Sequence, residues 1–194
     1  MRRALIIFAK SPEKGKVKTR LAKDIGEYQA VSWYIKLLKR TEAVVQGLAA
    51  VKTVFWADNI PKHPPVFNSD EFKFDVQGGD DLGARMANAF KGHFRQGYDA
   101  VVIVGTDCWD LKSKIVEKAF RALKGSDVVM GPAKDGGYYM LGLNKFNQDI
   151  FNDIDWSTEK VAEQTLAKCE ANQLSVKMLE KLSDVDNVYD LPME

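Results

Sequence analysis

Two apolar runs in this chain break off into residues that can do chemistry. The first, residues 99–107 (DAVVIVGTD), ends in Gly105, Thr106 and Asp107 and reads as a buried strand that carries a carboxylate to its own C-terminal edge. The second, residues 127–132 (DVVMGP), follows one helix later and opens into Lys134, Asp135, Gly136, Gly137 and Tyr138. In an open α/β sheet that edge is where ligands bind, because the strands diverge there and leave a crevice. Acids and flexible glycines on two neighbouring strand ends therefore predict a site. A hard cation such as magnesium takes one or two protein carboxylates and completes its shell with water and substrate phosphate oxygens. Asp107 is the candidate ligand, with helix capping as its other reading. Its partner must come from elsewhere in the chain. Asp184 and Asp186 in residues 183–191 (SDVDNVYDL) are the natural candidates, with Asp110 and Asp135 in reach of the same edge. The other reading of Asp184 and Asp186 is a solvated tail.

Residues 10–21 (KSPEKGKVKTRL) place Lys10, Lys14, Lys16, Lys18 and Arg20 around Gly15, directly after the first apolar run. Backbone amides of a glycine-containing turn, with ammonium and guanidinium donors, suit a diphosphate whose charge moves during transfer. An ordinary solvated basic loop is the alternative, and the position after the first strand favours phosphate. The P-loop pattern fails, since Gly15 and Lys16 are followed by Val17, and no G-x-G-x-x-G follows any predicted strand. Residues 77–86 (QGGDDLGARM) open a helix whose glycines allow close approach to a ring or ribose, with Arg85 about a turn inside it. Capping by Asp80 or Asp81 and a surface arginine would equally account for it. Asp135, Gly136, Gly137 and Tyr138 could close over an acceptor or form a plain turn. Trp156, Ser157 and Thr158 could wall the acceptor site or cap a helix around a packed tryptophan. His63 and His93 receive no catalytic role.

The elements that must hold these residues alternate. Strands are predicted at residues 4–9, 51–57, 72–76, 99–107, 127–132, 138–143 and 175–179. Helices are predicted at residues 27–48, from Asp80 or Asp81 to 94, at 113–123, and from an N-cap at Ser157, with Val161, Leu166 and Cys169 on the apolar side. Such alternation predicts an α/β class with a mainly parallel sheet. The chain has 194 residues, enough for one substantial core and one domain spanning 1–194. Its formal charge of +1, with both signs interspersed, supplies no field for nucleic acid or an anionic membrane. No segment is long enough to span a bilayer, and residues 4–9 are too short for a signal peptide core. Cys108 and Cys169 support neither a disulfide framework nor a zinc site, which fits a reducing cytoplasm. Oligomeric state is not legible.

In this order the residues resemble a family. Phe8 to Lys10, Pro12, Gly15 and Val17 to Leu21, then Gln77, Gly78, Leu82, Gly83, Arg85 and Met86, are followed by Gly105 to Asp107. Gly131, Pro132, Asp135 to Tyr138, Trp156 to Thr158 and the ending from Asp184 to Leu191 complete the pattern. The chain is similar to the bacterial glycosyltransferase-A-like proteins related to nucleotide-diphospho-sugar transferases, near the 2-phospholactate guanylyltransferases and molybdenum-cofactor nucleotidyltransferases. The resemblance implies a single-domain, Rossmann-like glycosyltransferase-A fold with a mainly parallel mixed sheet flanked by helices. It implies that the first loop holds the nucleotide's phosphates, that Asp107 binds magnesium or manganese, and that Asp186 is the second metal position. Where the family often has a proline after the strand-end acid, this chain has Cys108 and Trp109. No Asp-x-Asp motif stands at that strand end, since Asp107 is followed by Cys108, Trp109 and Asp110, which favours nucleotidyl transfer relative to sugar transfer.

The expected activity is a metal-dependent transferase using a nucleotide sugar, or a nucleoside triphosphate with release of pyrophosphate, on a small-molecule acceptor. Asp107, Lys18 and Asp135 would carry catalysis; Lys10, Gly15, Lys18, Arg20, Gln77, Gly78 and Arg85 would bind nucleotide. Residues 135–138 and 156–158 would form the acceptor site. The rival from another class is a nucleotide-binding module without turnover.

Overall fold

Runs of β-branched and apolar residues pair into one seven-stranded sheet. The strands are β1 (Arg3–Ala9), β2 (Val51–Trp56), β3 (Phe72–Val76), β4 (Ala100–Val104), β5 (Val128–Pro132), β6 (Tyr138–Leu143) and β7 (Val176–Met178). The helices are α1 (Thr19–Ile25), α2 (Glu27–Val45), α3 (Leu82–Arg95), α4 (Ser113–Ala122) and α5 (Val161–Ala171), with single 3-10 turns at Asp149–Phe151 and Val188–Asp190. The computed structural model describes residues 1–192.

Strand order is β3-β2-β1-β4-β6-β5-β7. All pairings are parallel except those of β6, which runs antiparallel to β4 and β5. The central strands are apolar on both faces because both faces are covered. Leu5, Ile7, Val102 and Val104 pack with Leu37, Leu38, Val116 and Phe120 from α2 and α4. On the opposite face Ile6, Val101 and Ile103 pack with Met86 and Phe90 of α3 and Cys169 of α5. The predicted α/β class and mainly parallel sheet are thus observed.

Three local expectations are corrected and one is narrowed to a single residue. The ends of β4 and β5 are not neighbours: the α4 crossover carries β5 one place beyond, and the turn at residues 133–137 sends β6 back between them. Part of the basic loop is helical, since α1 forms over Thr19–Ile25 and ends at Gly26, whose φ of 85° is readily adopted only by glycine. Ser157 is no N-cap. It sits in a left-handed turn with φ 65°, and α5 starts four residues later, after Lys160. Asp81, one of two proposed caps, is the one used: its Oδ1 accepts from the Ala84 backbone N–H at 2.7 Å. Both cysteines are free and buried, and among the described residues no helix is long and apolar enough to cross a membrane.

Candidate active site

The strands open at their C-terminal ends into a cleft of about 610 Å³. Its walls bring together residues from every part of the chain that the sequence singled out. Lys10, Lys18 and Arg20 come from the first loop and α1, Gln77 and Arg85 from the entry of α3, and Asp107 from beyond β4. Tyr138, Ser157, Asp184 and Asp186 close it. Gly15, Gly78, Asp135, Gly136, Gly137, Trp156 and Thr158 are not among its lining residues.

At its floor, Lys18 lies between two carboxylates. Its ammonium is 2.5 Å from Asp107 Oδ1 and 3.7 Å from Asp186 Oδ1, and its side chain is only 5% exposed. Arg20 reaches the other oxygen of Asp186 at 3.4 Å. The backbone builds this meeting point. Val17, buried in the core, anchors the loop, and Lys18 turns the chain into α1 with φ 47° and ψ 45°, a left-handed conformation uncommon for a residue with a side chain. From the other end of the sequence, the Val185 N–H donates to the Asp107 carbonyl at 2.9 Å, so Asp184 and Asp186 flank the strand-end acid. Asp190 Oδ2 accepts from the N–H groups of Asp186 and Asn187, both at 3.0 Å, and holds that segment's bend.

Asp107 and Asp186 converge on one cation position, and Asp107 Oδ1 is a buried atom whose close ion pair lacks hydrogen-bond alignment. This donor set fits a hard divalent ion that takes one or two carboxylates and fills its shell with water and phosphate oxygens. Among the described residues no group of three or more His, Cys, Asp or Glu side chains is arranged as a closed metal cage. Asp184 is the most perturbed acid of the cluster. Burial, then the charges of Asp107 and Asp135, push its carboxyl up to about 7 against the opposing pull of Lys18.

Two side chains that brace the site have little sequence signal. Tyr34 of α2 accepts from the Lys10 backbone N–H at 2.8 Å and shares a hydrogen bond with Thr106 at 3.2 Å, so it joins the ends of β1 and β4. Burial first, and then the Asp107 charge, raise its phenol above the usual range. Helical spacing marks Tyr34 as an apolar-face residue, and nothing local indicates its hydroxyl's work. Gln77 carries a nucleotide-binding expectation, and its amide N–H₂ donates to the carbonyls of Phe55 at 2.9 Å and Ala9 at 3.3 Å. The amide thus clamps β1 to β2 and leaves its oxygen as the remaining polar group.

Several predicted ligands prove to be occupied structurally. Arg85 donates to the Gly79 carbonyl at 3.1 Å, shaping the turn before α3. The glycine this turn requires is Gly79, with φ 141° and a Cβ that would meet the Arg85 backbone nitrogen at 2.7 Å; Gly78 has open space around it. Asp135 is exposed and accepts from the Gly137 N–H at 3.0 Å, which is a turn contact. Gly136 packs against the chain before α5, where a Cβ would fall 2.0 Å from the Glu159 carbonyl oxygen. Trp156 lies on Gly83 of α3, where a Cβ would sit 2.4 Å from the indole. The Thr158 hydroxyl donates to the Asp155 carbonyl at 2.7 Å. Tyr138 lines the cleft, with its hydroxyl against Met86 Sδ at 3.8 Å. Cys108 also lines it, yet burial pushes its thiol up to about 12, which keeps it protonated. Trp109 turns away to pack edge-on against Trp33 at 6.0 Å between ring centres, with Arg40 over its ring.

Similarity to known proteins accords with this geometry. A crystal structure from Desulfovibrio desulfuricans G20, described as a "putative nucleotide-diphospho-sugar transferase", superposes with a TM-score of 0.92 at 34% identity, covering 98% of this chain and 85% of that one. The 2-C-methyl-D-erythritol 4-phosphate cytidylyltransferase of Thermus thermophilus shares the fold, with a TM-score of 0.57, 14% identity and coverage of 98% and 95%. So does a CMP:2-keto-3-deoxy-manno-octonic acid synthetase solved with CTP, at 0.58, 9% identity and coverage of 96% and 94%. No curated protein matches the chain. The glycosyltransferase-A-like resemblance carried by the motifs is therefore observed at the level of fold and family. Residues 40–158 match the family model described as "Uncharacterized protein conserved in bacteria (DUF2064)", and the chain belongs to that family.

Proposed function

We propose that this protein is a metal-dependent transferase that takes a nucleotide-activated donor into the cleft at the C-terminal strand ends. The observation that supports it best is the convergence of Asp107 and Asp186, from distant parts of the sequence, on the ammonium of Lys18 inside that cleft. In this reading Asp107 and Asp186 hold magnesium or manganese, which when bound neutralises charge on the donor's phosphates. Lys10, Lys18 and Arg20 hold the phosphate oxygens and stabilise the charge that develops on the leaving group. Gln77 and Arg85 border the nucleoside. Tyr138 and Ser157, on the opposite wall, border the acceptor. Asp135, exposed and outside the lining, is a less favourable base than its sequence position suggested.

Two reactions share this frame. In sugar transfer an acceptor oxygen attacks the anomeric carbon, the bond to the diphosphate breaks, and a nucleoside diphosphate leaves with the electron pair. The description of the Desulfovibrio relative supports it. In nucleotidyl transfer an acceptor phosphate oxygen attacks the α-phosphorus and pyrophosphate leaves, a step that is mainly positioning and electrostatics. The second acid favours this reaction, since it comes from Asp186, far along the chain, whereas Asp110 does not line the cleft. Calorimetric titration with nucleoside triphosphates and nucleotide sugars, with and without manganese, followed by product analysis, separates them. Release of nucleoside diphosphate establishes sugar transfer, and release of pyrophosphate establishes nucleotidyl transfer. Absence of binding to either class would overturn the enzyme and leave a different ligand for the cleft.

A further inference from the structure

We propose that Lys18 is a gate on the metal position: its ammonium and a divalent ion are alternative partners of Asp107 and Asp186, so the ion is admitted when a donor phosphate draws the ammonium away. The inference rests on the transferase reading and adds an order of events to it.

The geometry supports exchange better than coexistence. Lys18 Nζ stands 2.5 Å from Asp107 Oδ1 and 3.7 Å from Asp186 Oδ1, within reach of one oxygen of each acid that would hold an ion. Its side chain is only 5% exposed, whereas Asp107 is 45% exposed and Asp186 35%. The acids can thus receive a ligand from the cleft side while the ammonium is supplied from below. Asp107 Oδ1 is buried and, among the described residues, this charge pair is its one close partner, so an ion can take its place when the ammonium moves. A lysine suits such a gate because its ammonium is a point charge on a flexible four-carbon stem, able to move by rotamer changes alone. A second cation, Arg20, stays on the outer oxygen of Asp186 at 3.4 Å and is 75% exposed, able to follow a phosphate without uncovering the floor. Lys18 itself holds a left-handed backbone, and from it the side chain reaches the two acids.

The consequence is coupling. Without nucleotide the acids are satisfied by Lys18 and bind a free ion weakly. With a di- or triphosphate the ammonium gains new oxygen partners and the acids are released, so phosphate and ion reinforce one another.

The test is titration of Mn²⁺ alone, followed by the electron paramagnetic resonance signal of the free ion, against wild type, Lys18→Met, Lys18→Gly and each Lys18 variant combined with Asp107→Asn. Glycine suits the backbone at this position and guards against a methionine variant that fails to fold. Lys18→Met and Lys18→Gly should bind Mn²⁺ at least about tenfold more tightly than wild type, and adding Asp107→Asn to either Lys18 variant should remove that gain. Equal or weaker binding in both Lys18 variants would overturn the gate, as would absence of Mn²⁺ binding in every chain. A wild-type chain that still bound nucleoside triphosphate or nucleotide sugar in a parallel titration would keep the transferase reading in either case. Failure of that parallel titration, with tighter Mn²⁺ binding in the Lys18 variants, would sink the transferase reading and leave the lysine–metal competition standing.

Discussion

In the proposed reaction Asp107 carries the most weight, because among the described residues it is the acid nearest the Lys18 ammonium. Asp107→Asn preserves size and removes charge. It should lower turnover on the identified donor by about 10²–10³-fold, the usual cost of removing one charge-stabilising group, with an unchanged circular dichroism spectrum. Wild-type turnover would take Asp107 out of the mechanism. A second contrast separates a turn glycine from a ligand glycine. Gly79→Ala should destabilise by about 1–3 kcal/mol in a denaturant titration, because φ is 141° and the new Cβ would lie 2.7 Å from the Arg85 nitrogen. Gly78→Ala, with open space around it, should leave stability unchanged and report only on ligand approach.

At the scale of elements, α3 shows how one helix serves both core and cleft. Its Asp81 cap and the turn at Gly79 set its N-terminus at the wall of the cleft, while Met86 and Phe90 bury its inner face. One turn from its end, His93 is held neutral: Nδ1–H donates to the Ala89 carbonyl at 2.8 Å, and Nε2 accepts from the Thr53 hydroxyl at 3.2 Å. Burial lowers its pKa below the ordinary 6.5. The unfolded chain therefore takes up the proton first as pH falls. The stability that His93 supports is present above about pH 6.5 and is lost below it. His93→Gln should flatten the fall in melting temperature between about pH 7.5 and 5. A variant with the wild-type pH slope would show that other groups carry it.

Across the whole molecule, the site depends on the chain's last segment returning to β4. The bridge between Ala133 and Leu182 and the bond from Val185 N–H to the Asp107 carbonyl bring Asp184 and Asp186 home. A chain ending at Leu182 should remain folded but lose burial of Val185, at a cost of about 2 kcal/mol and a melting shift of about 4–8 °C. It should also lose nucleotide and manganese binding in calorimetry, and the double variant Asp184→Asn, Asp186→Asn should reproduce that loss without the melting shift. Retained binding in both would move the metal position elsewhere.

Much of this was written locally. The strands at Arg3–Ala9, Ala100–Val104 and Tyr138–Leu143 are legible because a covered parallel or mixed sheet demands apolar residues on both faces. The acid at a strand end, the basic loop after the first strand and the late pair of acids are legible for the same reason: their type and order are properties of the chain. What the sequence left open are relations between distant residues. Whether β4 and β5 are neighbours depends on where the α4 crossover lands, and β6 lies between them. That Tyr34 ties Lys10 to Thr106, that Gln77 clamps two strands, and that Asp135 and Trp156 serve turns and packing are facts of tertiary contact. The sequence by itself determined the class of fold and the segments that end at the C-terminal edge, since periodicity and turn chemistry act over a few neighbours. Only the tertiary structure decided that Lys18, Asp107 and Asp186 share one point, because ion pairs between loops far apart in the chain exist only once packing has fixed both loops.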